Sequence, residues 1–362
     1  MLIIYLSCSH LYGRNYNMGV VDDVRKGEYG EMIMKVFCIP FNGDIDFITG
    51  YCKKNRQKIA EVYGSDGFFL AGRQTNTVVR DDFFSLIEQL SNLKVEFNYI
   101  LNSISVIDYV ERETLLVSHL EELRNRGVNT VTSAHPHMVA LLKKLGFKVA
   151  TSLVQNIRSE EDIMWAQRFG YSRIICSDDL NRRIGELKSR IAISMLPVEI
   201  VANNMCLPSC PLRHTHYSFE SLIHNREMTN ELRKCKKEIV LCRSMWASEP
   251  SLFLKSGWVR PEDVEKYLEI GVNRIKIAGR DRDSKSLKQT FDYYLSGKCE
   301  AGVFDYLLPG CDPREKYGLN NINNKELDSY FDHILNEKYC HGQCKECTFC
   351  DEYWRELNDN ND

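Results

Sequence analysis

Short apolar runs recur along this chain with stretches of helical length between them, and that alternation constrains the fold more than any single motif. Candidate strands run over Met32 to Cys38, Gly67 to Ala71, Leu93 to Leu101, Asn129 to Thr132, Phe147 to Leu153, Ser172 to Cys176, Pro197 to Ala202 and Asn273 to Ile277. Between them, Ser118 to Arg126, Pro136 to Leu145 and Glu160 to Arg168 carry apolar residues at helical spacing. Strands that alternate with helices pair in parallel, because a parallel neighbour needs a crossover. Eight such units predict an α/β fold closed as a (β/α)8 TIM-like barrel. The rival is an open doubly wound sheet. That fold commonly carries a glycine-rich phosphate turn after an early strand, and this sequence has none.

Three entries from helix to strand are built alike: Gly127-Val128-Asn129, Gly170-Tyr171-Ser172 and Gly271-Val272-Asn273. Glycine at a helix end supplies the left-handed turn that a β-carbon disfavours. The stretch from Pro211 to Pro261 is too long for an ordinary connection and reads as an insertion after the seventh strand, and loops of that length inside compact domains usually carry function. Past Gly310 the pattern weakens, and Asn320-Asn321-Ile322-Asn323-Asn324 reads as a linker. The expected organisation is a barrel over residues 1–318, followed by a linker and a cysteine-rich metal-binding tail over 319–362.

Composition narrows the setting. A chain of 362 residues with 43% hydrophobic and 27% charged residues can bury a large core. The formal net charge of -3 gives no general field for nucleic acid or an anionic membrane, although a local basic patch leaves nucleic acid open as a partner. No apolar run reaches the ~20 residues of a membrane span. The apolar start Met1-Leu2-Ile3-Ile4-Tyr5-Leu6 lacks a basic leader and a cleavage site, so the expected location is the cytoplasm. The chain carries 14 cysteines, and in a reducing compartment clustered thiols bind metal or do redox chemistry rather than form disulfides.

Two thiol groups stand out. After the seventh strand the chain reads Asn203-Asn204-Met205-Cys206-Leu207-Pro208-Ser209-Cys210-Pro211, with proline turns framing two soft ligands. Arg213, His214 and His216 follow, then Cys235, Cys242 and Trp246. A [4Fe–4S] cluster takes four ligands, or three and an exchangeable site. Cys206, Cys210 and Cys242 are the first three candidates, with Cys235, Cys176 or a tail residue as the fourth. Zinc with the two histidines is the competing metal, and free buried thiols are the plain alternative. The tail reads Cys340-His341-Gly342-Gln343-Cys344-Lys345-Glu346-Cys347-Thr348-Phe349-Cys350. Intervals of three, two and two residues are closer to ferredoxin-type ligation than to a zinc ribbon, so a second cluster is expected there, with zinc as the alternative.

In a barrel the loops after the strands converge on the active site. Those positions hold Arg73, Gln74, Asn76, Asn102, His135, His137, Gln155, Asn156, Ser177, Asp178 and Arg280. Taken singly, each is as readily a cap or turn residue, and Asp178 can simply begin the next helix. Lys276 and Arg280 at the end of the eighth strand can orient a carboxylate or phosphate, arginine in bidentate fashion. The alternative is an internal ion pair with Glu199 or Asp66. Arg73, His135, Lys276 and Arg280 are the catalytic candidates. Neither a nucleophile elbow nor an HExxH pair is present.

These residues resemble the peptidase U32 family, the collagenase-like proteins. Gly271-Val272-Asn273-Arg274-Ile275-Lys276-Ile277-Ala278-Gly279-Arg280 is similar to its IG-x-x-x-KIEGR signature, with Ala278 where glutamate is usual. Asp66-Gly67-Phe68-Phe69-Leu70-Ala71-Gly72-Arg73 resembles its early strand, and Thr151 to Asn156 with Arg173 to Ser177 its fifth and sixth. The resemblance spans most of residues 60–300. It implies a barrel, a cysteine-held [4Fe–4S] cluster, and relatives that hydroxylate ubiquinone precursors or RNA bases without oxygen, despite the peptidase name. The usual histidine-glycine-x-x-cysteine phrase is replaced here by Asn203-Asn204-Met205-Cys206, which marks a divergent branch. The expected function is an iron–sulfur enzyme acting on an anionic small molecule or modified macromolecule, with an electron donor as partner. The alternatives are a peptidase and a non-catalytic iron–sulfur partner subunit.

Overall fold

The computed structural model describes residues 35–69, 71–72, 78–105, 107–222, 241–336, 340 and 344–359. Eight strands follow one another as β1 (Phe37–Pro40), β2 (Ile59–Gly64), β3 (Glu96–Leu101), β4 (Thr130–Ser133), β5 (Lys148–Ala150), β6 (Ile174–Ile175), β7 (Val198–Val201) and β8 (Arg274–Lys276). All pair in parallel in the order β5-β4-β3-β2-β1-β8-β7-β6. The open edges meet through single bridges, Ala150 to Arg173 and Ile157 to Cys176, and the amide of Thr151 donates to the Arg173 carbonyl at 3.0 Å. The result is a nearly closed TIM-like barrel.

Helices flank the strands, with Arg80–Asn92 packed on β3 and Pro136–Lys144 on β4 and β5, while the terminal helix Phe349–Asp359 packs on the helix Ser251–Lys255. Their ends follow the local chemistry. Ser159 and Asp162 form a reciprocal capping box on the helix Glu160–Phe169, which satisfies two amides that the helix leaves unpaired. Gly127, Gly170 and Gly271 take φ of 97°, 87° and 103° at the three helix-to-strand entries expected to need it. None of the described helices is long and apolar enough to cross a membrane.

The strand boundaries differ from expectation in one informative place. The second strand is Ile59–Gly64, and the described residues of the expected stretch Gly67 to Ala71 are not in a strand. Glu61 points into the barrel and breaks the apolar run of the true strand, whereas Phe69 and Ala71 are buried in a loop and mimic one. The fifth strand stops at Ala150 because Ser152 caps a short 3-10 turn, Leu153–Gln155. Met32, at the start of the first expected strand, lies outside the described residues.

The stretch 320–324 is packed. Ile322 is buried in the core, Gly302 and Asn323 form an antiparallel bridge, and the buried Asn324 side chain donates to Glu262 and to the Cys299 carbonyl. Asparagine richness there satisfies turn and backbone hydrogen bonds rather than solvating a spacer.

Candidate functional site

Inside the barrel, polar side chains of alternate strand positions form a closed layer. Arg173 donates to both oxygens of Glu61, at 2.9 and 2.8 Å, and its Nε lies 3.0 Å from Glu199. Lys276 Nζ sits 3.3 Å from the other Glu199 oxygen and 3.8 Å from the centre of the Tyr63 ring. Asn98 donates to Glu61 and accepts from Thr132. Burial would raise the Glu61 carboxyl, but Arg173 and then Lys276 outweigh it and hold it below its ordinary value. Cys38 completes the group, its thiol pushed well up by burial and by Glu199. Cys38, Glu61 and Glu199 bring potential ligand atoms within 4.8 Å of one another, yet two cations already fill the space between the carboxylates. The layer is an ion-pair plug.

Of the two readings of Lys276, the internal pair with Glu199 is therefore the one formed. Asp66 pairs instead with His119, at 3.2 Å.

Above the plug, at the carboxyl ends of the strands, lies a chamber of about 90 Å³. Tyr63, Ile100, Ile175 and Val201 give it apolar walls, while Asn102, Ser152, Lys276 and Arg280 supply polar atoms. Asn102 is fixed by accepting from the Gly72 amide at 2.8 Å and donating to Ser152 at 3.1 Å.

A second cavity of about 230 Å³ adjoins it, and Cys206, Cys210 and Cys242 all line it. Asn204, Tyr217 and Ala278 line both cavities and so form a common wall. Residues far apart in sequence meet here. The loop after β7 brings Cys206 and Cys210, the helix Arg213–Leu222 brings His216 and Tyr217, and the helix Leu241–Ser248 brings Cys242 and Trp246. Four cationic side chains, Arg213, Arg243, Arg282 and Lys316, line it against two carboxylates, Glu220 and Asp281. The Cys242 thiol is raised by burial and next by the charge of Cys210.

The thiol loop is tied down by buried acids at the start of the 3-10 helix Asp178–Arg182. Asp178 accepts from Arg213 and from Asn204, both at 2.5 Å, and Asn204 Nδ2 also lies 3.4 Å from Cys206 Sγ. Asp179 accepts from the Ser209 amide at 3.1 Å, and Ser209 takes a left-handed φ of 49°. Gly257 is required beside this helix, since a β-carbon there would come within 2.0 Å of the Asp178 carbonyl oxygen. Burial raises the Asp178 carboxyl above its usual range, against the pull of Arg213.

Other candidates fall elsewhere. His135 stands at the N-cap position of the helix Pro136–Lys144 without a side-chain capping bond, and its Nε2 bonds the Ser103 carbonyl at 2.6 Å; it lines neither cavity, and burial lowers its pKa. Cys176 is packed in the core, where burial pushes its thiol up to about 12. His214 is exposed, whereas His216 lines the thiol cavity beside Glu220 at 3.5 Å. Arg73 and Cys235 lie outside the described residues. Cys340, Cys344, Cys347 and Cys350 are not among the residues lining the thiol cavity. Tyr217, Arg282, Lys316 and Tyr317 escaped the sequence reading, because only long-range packing brings them to the cavity.

The profile of peptidase family U32 matches residues 54–347. An uncharacterized protease of Methanocaldococcus jannaschii is 27% identical over 314 residues, a match covering 83% of this chain and 89% of the relative. Among solved structures, a U32 peptidase superposes with a TM-score of 0.50 at 12% identity, covering 72% of this chain and 98% of that one. A likeness at that identity speaks for the barrel fold alone.

Proposed function

The chain belongs to peptidase family U32, and from that membership and the paired cavities we propose that it is an iron–sulfur redox enzyme with its cluster in the thiol cavity and its substrate in the adjoining chamber. The observation that carries this reading is the wall of Asn204, Tyr217 and Ala278 common to both spaces. The donor set fits a [4Fe–4S] group. Cys206, Cys210 and Cys242 would hold it as soft thiolates, leaving the fourth place to Cys235 or to an exchangeable ligand. The surrounding surplus of arginine and lysine offsets the negative charge that thiolate ligation brings. When bound, such a cluster supplies single-electron exchange and a Lewis-acidic iron.

The chain's own side chains do the rest. Arg280 orients an anionic group of the substrate, Asn102 and Ser152 offer hydrogen bonds, and Ile100, Ile175 and Val201 exclude water. Lys276, its charge balanced by Glu199, fixes the floor of the chamber. Oxygen-independent hydroxylation is the most concrete chemistry for this arrangement, carried over from the family resemblance.

Anaerobic purification followed by iron, sulfide and zinc quantitation tests the reading. Iron with matching sulfide is expected in the wild type and its loss in Cys242→Ser. Zinc alone would overturn it, and peptide cleavage that survives complete removal of iron would favour a hydrolase instead.

A further inference from the structure

The four tail cysteines have no part in the cavities described above, and their surroundings have a logic of their own. Cys340 Sγ donates to the Arg182 carbonyl at 3.5 Å, at the far end of the 3-10 helix whose first residue, Asp178, holds the mouth loop. Cys350 lies in the first turn of the terminal helix Phe349–Asp359, with its sulfur 3.5 Å from the Tyr330 hydroxyl. These two thiols are half-buried, while Cys344 and Cys347 between them are exposed.

The thiols share one electrostatic neighbourhood. Lys255 brings a cation to the same place: its ammonium is 2.7 Å from Asp351 and feels both Cys350 and Cys344. Thiols used for packing in this chain, such as Cys38, Cys52 and Cys176, sit in the core. Cys340 and Cys350 pack against the edge of the core, whereas Cys344 and Cys347, at intervals of three, two and two residues along the same run, are exposed and have no packing role to explain them.

We propose that Cys340, Cys344, Cys347 and Cys350 form a second thiolate metal centre, separate from the mouth thiols, that fastens the terminal helix to the outside of the barrel. The chemistry required is that of a thiophilic group taking four sulfurs, either one zinc ion or one iron–sulfur cluster. Binding deprotonates the thiols and releases their protons to solvent, so occupancy falls as pH drops. The terminal helix then has two kinds of anchor. One is apolar: the Phe349 ring stacks on His333 with centroids 3.7 Å apart. The other is the metal, which ties the first turn of that helix, through Cys350, to the chain at Cys340; on binding, the Cys340 S–H gives up its bond to the Arg182 carbonyl.

The test uses the full chain purified anaerobically, with iron, zinc and acid-labile sulfide measured per chain. Three proteins are compared: wild type, Cys344→Ser/Cys347→Ser, and Cys206→Ser/Cys210→Ser. The tail variant changes only exposed side chains, and its thermal melt with the metal stripped should match that of stripped wild type. The expected result is that it loses one zinc, or the iron and sulfide of one cluster, and keeps whatever metal the mouth variant loses. A chelator that strips the tail metal should also speed tryptic cleavage after Lys345 several-fold in the wild type and not in the tail variant. Unchanged metal content in the tail variant overturns the proposal, as does loss of the same metal from both variants. Failure of the mouth reading is seen separately, as unchanged metal in the mouth variant.

Discussion

The barrel interior and the barrel mouth both bury polar chemistry, and they do it to opposite ends. In the interior Glu61 and Glu199 face Arg173 and Lys276, with contacts between 2.8 and 3.3 Å. Charge balances charge there, and the carboxylates are taken up by Arg173 and Lys276. At the mouth, thiols and guanidinium groups line open cavities of about 230 and 90 Å³. The difference teaches that buried charge does not by itself mark a reactive site. What marks it is buried chemistry whose partners leave room for a ligand.

The sharpest way to break the comparison is to unbalance the interior. Glu199→Ala leaves Arg173 and Lys276 with one carboxylate between them, and breaking a buried pair in this way costs about 3–5 kcal/mol. Urea unfolding of the metal-free protein should show that loss, while Cys206→Ser, measured the same way, should change stability by about 1 kcal/mol or less. Equal losses would erase the distinction between plug and mouth.

A smaller effect comes from pH. Glu61 has a folded pKa below its unfolded value, so its contribution is complete above the ordinary carboxylate range and is lost as pH falls through the lowered value. The stability gap between wild type and Glu61→Gln should therefore be widest near about pH 7 and close toward about pH 3. A gap independent of pH would mean that folding leaves the Glu61 pKa unchanged, and one that narrows as pH rises would mean that the fold holds it protonated.

The smallest expected effect sharpens the mouth. Asn204 donates to Asp178 and approaches Cys206 Sγ, so Asn204→Leu removes a donor from a sulfur proposed above as a cluster ligand. Hydrogen bonds to ligand sulfur favour the reduced, more negative state. At about 0.5–1.5 kcal/mol per bond, the midpoint potential should fall by roughly 20–60 mV. A redox titration giving no shift, with the cluster still in place, would show that Asn204 only shapes the loop.

Most of the barrel was legible in the sequence, because seven of the eight strands fall within the short, largely apolar stretches between segments of helical length. The second was missed because the apolar stretch just after it, with the buried Phe69 and Ala71, reads more strongly as a strand than Ile59–Gly64, which Glu61 and Gly64 interrupt. The pairing of Lys276 with Glu199 was foreseen as one of two readings, since both sit on barrel strands. At the site, Cys206, Cys210 and Cys242 do line one cavity, although Cys242 lies in a different helix from the loop that carries the other two. His135 was drawn in by its position after a strand, but its ring turns to the Ser103 carbonyl. Asp178 was named among the mouth positions, with a helix start as the alternative, and it does begin the 3-10 helix Asp178–Arg182. Its real partners, Arg213 and Asn204, come from the next βα connection and leave no local signature.

The claim that the mouth thiols hold a cluster is tested most directly by the EPR spectrum of the dithionite-reduced, anaerobically prepared protein before and after Cys206→Ser. The account predicts an iron–sulfur signal in the wild type that is lost or transformed in the variant, while the interior ion pairs keep the fold. A wild type without such a signal, or a signal indifferent to Cys206, would contradict it.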